Sequence, residues 1–207
     1  MARYTGAVCR LCRRERMKLF LKGAKCDTMK CPVERKPYPP GQHGRGRIRD
    51  SEYLLQLREK QKAKRIYGML EKQFRNVYAV ANSEKGITGE NLLRALELRL
   101  DNVVFRTGFA ASRNQARQFV RHGHVLVNGK RVTIPSYQLK REDVVEMSAK
   151  AQKMIVLRHN VDTIDRTVPM WLDVTVTDFK ATVRDLPLRE QIDVPVREQL
   201  IVELYSN

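Results

Sequence analysis

TGFAASRNQARQFVRHGHVLVNGKRVTIPSY, residues 107–137, changes its hydrophobic period partway along, and that change decides the fold class. Ser112 suits a helix N-cap, Gln115 three residues on completes a capping box, and Gly123 suits a left-handed stop. On the helix between them Ala116, Phe119 and Val120 face inward. Arg113, Arg117 and Arg121, four apart, are predicted to form an outward basic stripe drifting by about 40° per step. Val125, Leu126 and Val127 then read as a short strand, and Asn128-Gly129 as a two-residue hairpin turn with Lys130 and Arg131 beyond it. Together with Asn114, His122 and His124, these cations make a compact positive surface suited to an RNA backbone.

Downstream, Val144, Val145 and Met147 continue the strands, and a helix is predicted over 149–164. Leu172, Val174 and Val176 alternate as a further strand with a partner at 181–184, and Trp171 is read as core. Upstream, Tyr53, Leu54, Leu57, Ile66, Leu70, Phe74, Val77 and Tyr78 recur at helical spacing, with Gly68 separating two helices. Arg58, Lys60, Lys62, Lys64 and Arg65 occupy the opposite face, of which Arg58, Lys62, Lys64 and Arg65 are candidate RNA contacts. A stripe of Leu92, Leu93, Leu96 and Leu100 predicts a helix over 88–100.

The expected fold is α+β: a mainly helical first domain with an N-terminal zinc knot, and a second with helices on a small, mostly antiparallel sheet. The expected divisions are 1–47 for the knot and an extended basic arm, 48–95 for the helical domain, and 96–186 for the hairpin-bearing module with its additional strands. The apolar end of 187–207 is expected to return to the helical domain.

Lys and Arg number 40 against 23 Asp and Glu, a net charge of +17 that calls for a polyanionic partner. The excess is +10 over 1–50, +4 over 51–100 and +5 over 101–150, but −2 over 151–207. The first three segments should therefore face the polyanion, and the last solvent, protein neighbours or the other domain. No apolar run approaches the roughly 18 residues that span a bilayer, and no secretory signal is evident, so a cytoplasmic protein without membrane contact is expected.

All four cysteines lie in CRLCRRERMKLFLKGAKCDTMKC, residues 9–31. Cys9, Cys12, Cys26 and Cys31 form two close pairs joined by a loop, a spacing that brings four thiolates to the corners of a tetrahedron around one structural Zn2+. The loop cations would stabilise the tetrathiolate, and four protein ligands leave no position for catalytic water. An iron-sulfur cluster, disulfides in an exported protein and inert buried thiols are the competing readings. The following PVERKPYPPGQHGRGR, residues 32–47, is read as an extended arm placing His43, Arg45 and Arg47 against phosphate, with a solvated linker as the alternative.

Residues 97–147 resemble the small RNA-binding module named after ribosomal protein S-four, through Leu98-Arg99, Asp101, Val104, Arg106, Ser112-Arg113, Ala116-Arg117, His122-Gly123-His124 and Val127-Asn128-Gly129. The ARYTG opening, the YPPGQHG arm, REKQKAKRIYG and the terminal REQIDVPVREQLIVELYS extend the resemblance over nearly the whole chain, to the bacterial small-subunit ribosomal family in its zinc-binding version. The resemblance implies a structural protein that binds small-subunit ribosomal RNA at a helical junction of the 5′ domain, nucleates subunit assembly and contributes to translational accuracy. It also implies neighbouring ribosomal proteins and proximity to where mRNA enters the subunit, with no obligate homo-oligomer.

Two other classes compete. An RNA-modifying enzyme carrying the same module needs a second catalytic domain, and only roughly sixty residues follow the module, with no phosphate-binding motif or nucleophile constellation. A zinc-dependent nucleic-acid-binding regulator needs a helix that reads a major groove, whereas these cations are dispersed over arm, helices and hairpin.

Overall fold

The computed structural model describes residues 3–46, 49, 51–163 and 166–206. It divides into two compact units, Met1–Leu92 with Val194–Asn207, and Leu93–Asp193. The returning segment is shorter than 187–207, because residues up to Asp193 pack with the second unit.

The first unit opens with α1 (Cys9–Glu15), a 3-10 turn over Gly23–Cys26 and α2 (Pro32–Arg35). Helix α3 (Glu52–Ile66) starts at Ser51, whose hydroxyl accepts the Leu54 N–H at 3.3 Å. Gly68, at φ +64°, turns the chain into α4 (Glu71–Ser83). Phe74, Tyr78 and Ile66 are buried, while Tyr53 is 64% exposed and Leu70 also reaches solvent, so the inward stripe is narrower than predicted. Helix α10 (Glu198–Ser206) lies on α3, burying Ile201, and Tyr205 stacks on Tyr78 with ring centroids 4.3 Å apart.

The helix predicted over 88–100 is two helices, α5 (Thr88–Glu97) and α6 (Leu100–Arg106). Arg99 between them is extended at ψ 137°, because it bridges to Gln138: the Leu139 N–H donates to the Leu98 carbonyl and the Leu100 N–H to the Tyr137 carbonyl, both at 2.9 Å. Helix α7 (Arg113–Arg121) begins at Ser112, which accepts the Gln115 N–H. The reciprocal bond of a capping box shifts by one residue, as the Gln115 Oε1 accepts from the Ala111 N–H at 2.6 Å and from Asn160 at 3.1 Å.

Strands β1 (Val125–Val127) and β2 (Lys130–Arg131) form the hairpin, with Asn128 and Gly129 both at positive φ as a type I′ turn requires. With β3 (Val144–Met147), β4 (Leu172–Thr175) and β5 (Lys180–Val183) they make one sheet of order β2-β1-β3-β5-β4, every pair antiparallel. The helix predicted over 149–164 breaks into α8 (Ala149–Gln152) and α9 (Ile155–Thr163); Ile164 lies outside the described residues. Val103, Val120, Val125, Val145, Leu157, Trp171 and Val183 form the core between sheet and helices. No helix among the described residues is long and apolar enough to cross a membrane.

Candidate metal centre and nucleic-acid interface

Four free thiols line one cavity of about 10 Å³: Cys9 on the first turn of α1, Cys12 one turn on, Cys26 closing the 3-10 turn and Cys31 preceding α2. That is room for about one water-sized sphere. Val8, Leu21, Pro32 and Val33 complete its apolar wall, and all of the cysteines but Cys9 are buried. Burial pushes the Cys12 and Cys26 thiols above their ordinary value, against backbone hydrogen bonds from Leu19 and Lys22 respectively; the Lys22 N–H lies 3.4 Å from the Cys26 Sγ. N–H groups aimed at sulfur favour thiolate, and converging buried thiolates need a cation between them. Four thiols are a donor set that suits a soft divalent ion, although among the described residues no group of three or more Cys, His, Asp or Glu is arranged to hold one.

The arm is not extended. Gly44 donates to the Gly41 carbonyl and Gly46 to that of His43, and a Cβ on Gly44 would come within 1.9 Å of the Pro39 carbonyl oxygen, so only glycine lets the chain curl there. Tyr38 is gripped by two guanidiniums, Arg13 at 5.0 Å and Arg45 at 4.8 Å from its ring centroid. Arg13 also donates from Nε to the Lys36 and Tyr38 carbonyls, tying the arm to α1. Hydrogen bonding from Arg45 lowers the Tyr38 hydroxyl below its ordinary value. His43 and Arg45 are exposed; Arg47 lies outside the described residues.

The cations of α3 are not a free row, because carboxylates pair with them. Arg58 and Arg65 both engage Glu15, whose side chain is 1% exposed. Burial pushes the Glu15 carboxyl up against the pull of Arg65 and Arg58. Lys62 pairs with Glu59 at 2.5 Å, and Lys64 with Glu71 at 2.8 Å. Glu71 also takes Lys60 at 2.6 Å and the Tyr205 hydroxyl at 3.2 Å. Burial pushes Glu71 up, but the hydrogen bonds from Lys60 and Lys64 outweigh it and hold the carboxyl at about 2. The carboxylates that claim these cations come largely from α1 and α4, which the helical spacing of α3 could not reveal.

The stripe on α7 is corrected in the same way. Arg117 is 6% exposed and bonds the Asp101 carboxylate at 3.3 Å, which Arg99 holds bidentately at 3.0 and 2.8 Å. Arg113 is half-buried, donating to Asn102 at 2.8 Å with its guanidinium 4.3 Å from the Phe105 ring. Asn102 in turn donates to Glu97, which Arg106 grips through two bonds of 2.9 Å. The drift along the helix places Arg117 over Asp101 and leaves Arg121 exposed.

Past Arg121 the cations are open to solvent. Gly123, at φ +71°, lets the Arg131 side chain lie across it; a Cβ would meet the guanidinium at 2.0 Å. Arg131 thereby reaches the His122 carbonyl at 3.3 Å, beside exposed Arg121, His122 and Lys130. His124 is half-buried, its ring edge-on to Phe119 and His122. Burial, with the charges of His122, Lys150 and Arg131, lowers its pKa below the ordinary value. Asn114 is half-buried on the first turn of α7.

A family model described as the ribosomal protein S4/S9 N-terminal domain matches residues 3–97, and the S4 domain model matches 98–145. The small ribosomal subunit protein uS4 of Acidothermus cellulolyticus is 62% identical over 208 residues, covering all of both chains. Those of Frankia casuarinae, at 61%, and Anaeromyxobacter dehalogenans, at 58%, are likewise matched from end to end. The chain belongs to the uS4 family. It is a structural ribosomal protein and not an enzyme.

The S4 module spans α6, α7, the hairpin and the first half of β3, so it holds the principal arginines of the Asp101 and Glu97 networks as well as the open corner. Strands β4 and β5 and helix α10 fall outside both matched spans. Arg166, also beyond the module, is a residue that sequence reasoning missed. Its guanidinium lies 3.8 Å from the Phe105 ring and donates to the Phe105 carbonyl at 2.5 Å and to that of Ala110 at 3.3 Å. It thus caps α6 from 61 positions away, which no local pattern signals.

Proposed function

We propose that the chain binds small-subunit ribosomal RNA through the corner of the S4 module, with Arg121, His122, Lys130 and Arg131 as the principal phosphate contacts and Arg45 of the curled arm as a second site. The observation that carries this reading is the exposed cation cluster organised around Gly123 in a chain matched end to end by ribosomal relatives. The RNA site is a helical junction of the 5′ domain, and binding there nucleates assembly and contributes to translational accuracy. Neighbouring ribosomal proteins and mRNA near its point of entrance are further partners; the protein works in the cytoplasm, on the ribosome, as a single copy.

We also propose one structural Zn2+ on Cys9, Cys12, Cys26 and Cys31, supported by the shared cavity and the N–H groups directed at sulfur. The ion would supply local cross-linking of a polar segment and no catalysis. Through Arg13 the knot would brace the arm.

Filter binding to a 5′-domain RNA fragment tests the first proposal. Affinity should fall steeply with salt, with a slope near −0.9 per phosphate neutralised; a flat response would sink it. Elemental analysis of the purified chain tests the second, with one zinc and no iron expected. Iron in place of zinc, or no metal at all, overturns it.

A further inference from the structure

The second unit carries an open groove of about 570 Å³, lined by none of the corner residues. Its walls include Arg94, Arg141 and Arg184 against one carboxylate, Asp185. Arg141 and Arg184 are exposed, and Arg141 meets Asp185 only at 4.0 Å with both side chains more than half in solvent. Interleaved with these charges are Met170, 83% exposed, Leu188, 57%, and Leu186, 40%. Buried Trp171 belongs to the same wall, and its indole N–H has no hydrogen-bond partner among the described residues.

We propose that this groove docks an extended segment of a partner protein in which acidic side chains alternate with leucine-like ones. Arg141 and Arg184 take the carboxylates, and the exposed apolar side chains take the alternate positions. Charge complementarity sets the sign of the partner. A nucleic acid fits less well, since its phosphates would meet the three exposed apolar side chains that separate these arginines. The volume is that of a site taking a few side chains. This goes beyond the RNA reading and uses none of the corner cations.

The test uses the full chain at physiological salt and a synthetic peptide of alternating Glu and Leu. Trp171 is the only tryptophan, so its emission reports the groove. The peptide should shift that emission. Replacing Arg141→Glu and Arg184→Glu together, both exposed, should weaken peptide binding about tenfold or more, and a Gln-for-Glu peptide should lose affinity similarly. No emission change, or equal affinity in the variant, overturns the proposal. So does a single-stranded RNA that displaces the peptide and shifts Trp171 itself. Binding of the same variant to the 5′-domain RNA should be unchanged within about twofold; a parallel loss would reassign the groove to RNA, whereas failure of RNA binding by the native chain touches only the function proposed above.

Discussion

Helix α3 and the corner after α7 look alike as sequence, each a dense run of Lys and Arg, and they differ in almost every physical respect. On α3, Arg58, Lys62, Lys64 and Arg65 each meet Glu15, Glu59 or Glu71 within the first unit. At the corner, no ion pair found among the described residues engages Arg121, Lys130 or Arg131. Periodicity places a cation on a face. Only the tertiary fold decides whether a carboxylate arrives opposite it, and one that does makes the cation half of a structural pair.

The contrast breaks hardest at Asp101. Asp101→Ala removes the carboxylate that buried Arg99 and Arg117 share, and should cost about 3–5 kcal/mol in denaturant unfolding, the penalty for halving a buried pair. A loss below about 1 kcal/mol would mean that this network carries no structural weight.

The corner should respond in the opposite way. Arg121→Ala, Lys130→Ala and Arg131→Ala combined should weaken RNA binding about tenfold or more and flatten the salt slope by nearly three, while stability moves by no more than about 0.5 kcal/mol per site. The matching triple truncation on α3, at Arg58, Lys62 and Lys64, should do the reverse, lowering stability more than RNA affinity.

The smallest effect belongs to Glu71. Its carboxyl is held at about 2, below the ordinary 4.5, so its pairs contribute fully above pH 4.5 and are lost as pH falls from there toward 2. Glu71→Gln should flatten the acid limb of the stability curve in that window. With Glu71 partly exposed, the difference at pH 7 should stay below about 1 kcal/mol. An unchanged acid limb would show that the lysines gain nothing from it.

Local chemistry was the legible part. Ser112, Gly68, Gly123 and Asn128-Gly129 each announce a cap, a stop or a turn through their own backbone preferences, and the structure uses each so. The α+β class followed from the change of period. What stayed hidden depends on partners far along the chain or on close backbone approach: the break at Arg99, made by pairing with Gln138; the curl of the arm, made by Gly44 against Pro39; and the burial of Arg117 by Asp101. The four cysteines lay in plain view, and they line one cavity.

The return of α10 to α3 also orders events in time. During synthesis the second unit, continuous from Leu93 to Asp193, emerges with every strand it needs. The first unit begins earlier yet must wait, its α3 and α4 surface uncovered, until Ile201 and Tyr205 arrive to close it. The half made first is therefore the half finished last, and a nascent chain stalled before α10 would carry a folded RNA-binding module behind an incomplete helical unit.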